Sequence, residues 1–130
     1  MSTTYIEIVL DEILNQQKMA INEITERYFN PSYRQRTNGC WGDLKEFAHH
    51  AHKLREIVVS ARIEVLDQLR DGNLYATRHR VLCSKRDGSE VIMEVYMFAE
   101  TDESGRFLRI EETTMMIKGS ESDRDLGSAR

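Results

Sequence analysis

The sequence has one proline, Pro31, and two cysteines, Cys40 and Cys83, in 130 residues. With so few proline breaks, and with no internal repeat or low-complexity block, the chain reads as continuous structure as far as about Gly119. The cysteines form no metal-ligand spacing, which sets aside a Cys-based zinc site and a disulfide framework. No apolar run approaches the ~20 residues that a bilayer-spanning helix needs. The opening segment MSTTYIEIVL has neither the basic stretch nor the cleavage site of a secretory signal. No membrane partner and a cytoplasmic location are therefore expected. Basic charge is not in excess either: 18 Lys and Arg stand against 22 Asp and Glu, for a net charge of −4. The global phosphate attraction of a nucleic-acid-binding protein is absent. The length suits one core, read as a single domain over residues 1–118. The polar stretch 119–130 is expected to be a disordered tail.

Against these absences, two kinds of periodicity stand out. Ile6, Val9, Leu10, Ile13, Leu14, Ala20, Ile21, Ile24 and Tyr28 recur at helical spacing, with Thr4 and Glu7 placed as a capping box and Asn15-Gln16-Gln17 marking a break. Asn30-Pro31 ends that pattern. A second amphipathic helix opens at Gly42 or Asp43 and runs to about Glu56, with Leu44, Phe47, Ala48, Ala51 and Leu54 on one face. After Ser60 the period becomes two. Turn signals at Asp71-Gly72, Asp87-Gly88 and 102–105 predict four strands near 60–70, 74–84, 89–100 and 106–117, joined as hairpins. Helices followed by an antiparallel meander give an α+β fold, with the helices covering one face of a curved sheet and a concavity between them.

Strand alternation assigns an inner face. Val91, Met93, Val95, Met97 and Ala99 are uniformly apolar and face the core. Tyr75, Thr77, Val81 and Cys83 share a face with His79, and Leu108, Ile110 and Met116 share one with Glu112 and Thr114. A three-residue loop ending in Gly88 pairs His79 with Val95. A four-residue loop from Asp102 to Gly105 pairs Val95 with Glu112. His79 and Glu112 would then flank Val95, roughly 9–10 Å apart, addressing opposite sides of a small ligand.

The blocks RYFNPSYRQRTNG, GDLKEFAHHAHKLRE, RIEVLDQLRDGNLYATRHRV and DESGRFLRIEET, in this order and spacing, resemble the SnoaL-like branch of the nuclear-transport-factor-two-like superfamily over about residues 10–118. The resemblance implies a cone-shaped fold, N-terminal helices on a strongly curved antiparallel sheet with an internal pocket, and commonly a homodimer formed through the sheet. It also implies a small hydrophobic or polyketide-like ligand and no cofactor. Members include polyketide cyclases, ketosteroid isomerase, limonene epoxide hydrolase and scytalone dehydratase, so the fold leaves the reaction open. Three positions depart from the cyclase-like pattern. Arg36 stands where those members often carry a histidine. On the last strand, Thr114 and Lys118 stand where they carry tryptophan and the catalytic aspartate.

The residues singled out for function each have a plainer duty. Glu112 on an apolar face would have its ionised form disfavoured and serve as a general acid/base, or it would be a structural ion pair with Arg36 or Arg55. His79 is a candidate proton shuttle or a buried histidine held by a backbone carbonyl. Arg36, if inward, would bind a carboxylate or an enolate oxygen. Tyr33 offers a hydroxyl to the pocket, Trp41 caps its mouth or plugs the core, and Met93, Met97 and Thr114 line it or pack. In EFAHHAH, Glu46-x-x-His49 has di-iron spacing, but the second such motif is missing and the three histidines diverge around the helix, so no metal site is assigned. The function expected is a small-molecule pocket, acting by acid/base chemistry as an isomerase, lyase or hydratase. The alternative is a non-catalytic binding or dimerisation module.

Overall fold

The computed structural model describes residues 4–126. Two short helices come first, α1 (Ile6–Leu14) and α2 (Ile21–Tyr28), followed by a hairpin of β1 (Phe29–Thr37) and β2 (Cys40–Asp43). Helix α3 (Leu44–Ile57) leads into four long strands, β3 (Val58–Asp71), β4 (Leu74–Lys85), β5 (Glu90–Thr101) and β6 (Phe107–Lys118). They form one six-stranded sheet in the order β2-β1-β6-β5-β4-β3. The architecture is the expected α+β arrangement, with the helices packed on the inner face of the curved sheet. The sheet is mixed, however, because β1 runs parallel to β6.

The β1–β2 hairpin replaces what reads as a break and a loop. Thr37 pairs with Cys40 across Asn38-Gly39, and both turn residues have positive φ, 49° and 89°. That is the geometry that Asn-Gly favours in a two-residue hairpin. Pro31 is tolerated because it lies where the β1–β6 pairing is interrupted, between Phe29 and Arg34.

Helix starts divide by the presence of a side-chain cap. Asp43 accepts from the Glu46 amide at 2.9 Å, and the Glu46 carboxylate returns to the Asp43 amide at 3.3 Å, a complete capping box. The expected Thr4–Glu7 box does not form. Tyr5 is the N-cap, and the Thr4 hydroxyl instead donates to the Gly105 carbonyl at 2.6 Å. Arg55, a possible counter-ion for Glu112 in the sequence, is committed elsewhere: its guanidinium donates to the carbonyls of Ile13 and Met19, both at 2.7 Å. It thereby satisfies the open C-terminal end of α1.

Each interior-facing set read from strand alternation in β4 and β5 is buried. The core joins Ile6, Val9 and Ile13 of α1 and Ile24 of α2 to Phe29, Tyr33 and Phe107. Where the sequence suggests a polar tail from Gly119, the described residues fold back. A single 3-10 turn spans Glu121–Asp123, Asp123 pairs with Lys85 at 2.8 Å, and Leu126 is buried in the core. The remaining residues of that stretch, 127–130, lie outside the described residues.

Candidate functional site

Between the helices and the inner face of the sheet is a cavity of about 100 Å³. Aliphatic side chains from α1 (Ile6, Val9, Leu10, Ile13, Leu14) and from β4 and β5 make most of its wall, with Phe29 and Phe47 at one side and Leu126 of the C-terminal segment at another. Five polar side chains interrupt this surface: Gln35 of β1, His50 of α3, His79 of β4, and Glu112 and Thr114 of β6.

Glu112 is held by β1. The inward residues of that strand, Tyr33, Gln35 and Thr37, form a chain in which every donor has an acceptor. The Tyr33 hydroxyl donates to Gln35 Oε1, which turns the amide nitrogen the other way. Gln35 Nε2 then donates to Thr37 Oγ1 at 2.7 Å and to Glu112 Oε1 at 3.2 Å, and the Thr37 hydroxyl donates to the same Oε1 at 3.2 Å. One carboxylate oxygen is thus filled. Oε2 receives no hydrogen bond from the described residues and is not sealed off by them. The side chain keeps some accessible surface because it borders the cavity, but it lies deep in the fold. Burial raises its pKa from 4.5 to about 7, against the smaller lowering by the Thr37 hydroxyl. Tyr33 itself is raised well above 10, by burial first and then by the neighbouring Glu112 charge.

His79 is 1% exposed, with Nδ1 2.7 Å from the Thr77 hydroxyl. Burial lowers its pKa from 6.5 to about 4, so the ring is neutral at physiological pH. The Thr77 contact occupies Nδ1 and leaves Nε2 for the cavity. A neutral imidazole of this kind donates or accepts a hydrogen bond. Cys83 also borders the cavity, and burial pushes its thiol up to about 11, far from a reactive thiolate.

The expected row of His79, Val95 and Glu112 is corrected by a bulge. His79 does pair with Val95, but Val95 pairs with Thr114, and Glu112 lies opposite Met97. Thr101 pairs with Phe107, not Arg106, so the loop takes up one residue more than expected, and the bulge between Glu100 and Thr101 takes up one more on β6. Because the total slip is even, Glu112 keeps its inward face, and on the other side of β6 it lies opposite Thr37 of β1.

Of the remaining sequence candidates, Met93 and Thr114 border the cavity, and Thr114 is also tied to Asn38, whose Nδ2 donates to its hydroxyl at 2.9 Å. Tyr33 reaches the site only through Gln35. Met97 is buried beside Glu112 but forms no part of the cavity wall. Two expectations are overturned. Arg36 faces outward, exposed, with Nη1 3.5 Å from Glu111, since inward Gln35 and Thr37 flank it on the strand. Trp41 is 43% exposed and stacks under the Arg34 guanidinium, 4.4 Å from ring centre to carbon, and does not border the cavity. In the histidine cluster, His49 and His52 are exposed while His50 turns to the cavity. Gln35, Thr37 and His50 were not singled out from sequence. His50 is three residues from Phe47 and four from Leu54, a spacing that places it on the same helix flank.

No family model matches the chain. An uncharacterised protein of Schizosaccharomyces pombe is 31% identical over 103 residues, which cover 79% of this chain and 78% of that one. Among solved structures, a nuclear-transport-factor-two-like protein of unknown function from Exiguobacterium has a TM-score of 0.68 at 13% identity, covering 84% of this chain and 93% of that chain. A candidate SnoaL-like polyketide cyclase from Shewanella denitrificans has a TM-score of 0.66 at 8% identity, covering 82% and 85%. The chain belongs to one family with the Schizosaccharomyces pombe protein, and it has the fold of the nuclear-transport-factor-two-like superfamily that its sequence blocks resemble.

Proposed function

We propose that the protein binds a small, largely apolar molecule in this cavity and exchanges a proton with it through Glu112 Oε2, as in an isomerase, lyase or hydratase. The observation that carries this reading is the one-sided satisfaction of the carboxylate. Two donors fill Oε1, so a proton on the group resides on Oε2, the oxygen left to the cavity. A carboxyl group titrating at about 7 is populated in both forms near neutrality, the condition a general acid/base needs. His79 Nε2 serves as a neutral hydrogen-bond partner that orients the ligand. A cavity of about 100 Å³ favours a single ring or a short branched chain over a fused polycycle.

Cyclohexanone matches this volume and carries exchangeable protons next to its carbonyl. In D2O at pH 7, the protein should accelerate deuterium incorporation at those positions, followed by NMR, and Glu112→Gln should abolish the acceleration. Binding without exchange would favour the second reading, a non-catalytic ligand-binding module of the same fold. That reading draws support from Lys118 at the position where cyclase-like members carry their aspartate.

We also infer a homodimer formed through the outer face of the sheet, where Leu69, Tyr96, Phe98, Met115 and Ile117 are exposed. A monomer mass by light scattering at micromolar concentration would count against it. Cys40 and Cys83 are both free, in keeping with a reducing, cytoplasmic setting, and no helix among the described residues is long and apolar enough to cross a membrane.

A further inference from the structure

The outward position of Arg36 reverses the charge preference expected of the cavity. An inward guanidinium would have welcomed a carboxylate or an enolate. Instead, no lysine or arginine among the described residues borders the cavity, and its one acidic group, Glu112, has only an amide and a hydroxyl for partners. No lysine or arginine stands among the described titratable groups around Glu112. β1 presents Tyr33, β4 presents His79, held neutral, and Cys83, and α3 presents His50; the behaviour of Glu112 is set by burial and the Thr37 hydroxyl alone. On the outer face, Arg36 is occupied by Glu111. Among the described residues, therefore, no lysine or arginine serves as counter-ion to this carboxylate.

We propose that this cavity selects small apolar amines, the ligand bringing the positive charge that Glu112 lacks. The inference rests on the reading of the cavity as a small-molecule site with Glu112 as its proton-exchanging group, and it names the ligand class for that site. When a neutral amine binds to the protonated enzyme, the proton of Glu112 Oε2 moves to the amine nitrogen, leaving an ammonium–carboxylate pair. No other bond changes. An ammonium entering beside the ionised form gives the same complex. The charge-assisted hydrogen bond so formed is about twice as strong as the neutral bond that an alcohol would make. A carboxylate ligand would set a second anion beside a buried one and is rejected. Phe29 and Phe47, with ring centres 4.6 Å apart, border the same space. The aliphatic wall accepts the rest of the molecule.

Isothermal titration calorimetry with cyclohexylamine, cyclohexanol and cyclohexanecarboxylate separates the three chemistries on one ring. At pH 8 the wild-type protein should bind the amine at least about tenfold more tightly than the alcohol and show no heat with the acid. Between pH 8 and pH 5 amine affinity should fall about 100-fold, because below about 7 each pH unit protonates the carboxylate that the ammonium needs. Glu112→Gln, with folding checked by circular dichroism, should bind amine and alcohol alike and without pH dependence. Equal affinity for amine and alcohol in the wild type, an amine preference surviving in the variant, or no binding of any of the three would overturn the proposal. The pH series needs only the wild-type protein, so the test stands even if the variant folds poorly. Amine selectivity without ketone exchange would uphold the ligand class while refuting catalysis. Ketone exchange without amine selectivity would do the reverse.

Discussion

Glu112 and His79 should each make stability depend on pH, in opposite directions, so that each conceals the other in the wild-type protein. Glu112 has a folded-state pKa of about 7 against 4.5 for the free group. The native state therefore holds the proton more tightly than the unfolded chain does. The stabilisation is complete below 4.5 and is lost as pH rises through about 7. That interval corresponds to about 3 kcal/mol. His79 is the mirror case, with a native value of about 4 against 6.5. Its neutral form stabilises the fold above 6.5, and that contribution is lost as pH falls through about 4, again by about 3 kcal/mol. From pH 7 down to 4.5 the gain from Glu112 nearly cancels the loss from His79. The perturbation that exposes both is Glu112→Gln, which keeps the shape of the protonated carboxyl and cannot ionise. Urea unfolding of wild type and variant at intervals from pH 4.5 to 8 gives the difference in stability, in which all other groups cancel. As pH rises from 4.5 to 8 the variant should gain about 3 kcal/mol on the wild type, and as pH falls over the same range its own stability should drop by a similar amount, because the His79 ring takes up a proton in the unfolded chain but not in the native one. A difference that stays flat from pH 4.5 to 8 would show that Glu112 is solvated in the native state, and the acid/base reading would lose its physical basis.

Other perturbations test the elements that build the site. Tyr33→Phe removes the donor that fixes the Gln35 amide, so the amide is free to turn its oxygen toward Glu112. The Glu112 carboxyl, followed by carbon NMR, should then titrate at higher pH than in the wild type, whereas an unchanged titration would confine Tyr33 to packing. Leu126→Ala opens the cavity wall at the C-terminal segment and should cost about 2 kcal/mol in urea unfolding, at the low end for a buried leucine because a terminal segment can settle into the space. Gly39→Ala places a Cβ at a φ of +89° in the β1–β2 turn and should cost about 1 kcal/mol, measured the same way.

The parts of the fold legible in the sequence were those in which local chemistry and tertiary environment agree. Asp87-Gly88 gives the β4–β5 turn and places Val95 opposite His79, because Gly88 takes the positive φ of 89° that the loop needs. Apolar alternation in β5 gives its buried face because that strand is covered by helices on one side only. β1 and β2 were obscured because Asn30-Pro31 is a stronger local signal than the alternation after it, although Asn38-Gly39 between Thr37 and Cys40 carried the hairpin. The parallel β1–β6 contact joins segments some seventy residues apart and leaves no local trace. Arg36 was misplaced for the same reason. Without β1 as a strand there was no alternation to turn Gln35 inward and Arg36 outward.

The bulge between Glu100 and Thr101 decides what kind of site the cavity holds. Had β6 continued in the register set by a plain four-residue loop, Glu112 would lie across Val95 from His79. One residue in the loop and one in the bulge move Glu112 one inward pair along β5, opposite Met97, while on its other side β6 sets it against Thr37 of β1. A one-residue slip would have turned it to the outer face, the side on which Arg36 lies. The even slip instead retains the carboxylate inside and gives it two neutral donors on one oxygen. The site owes its uncompensated charge to that geometry: the arginine on β1 is in the right row but on the wrong face. The same strand that supplies the donors thus withholds the cation, so the partner for Glu112 must be the proton it binds near neutrality or the ligand that displaces it.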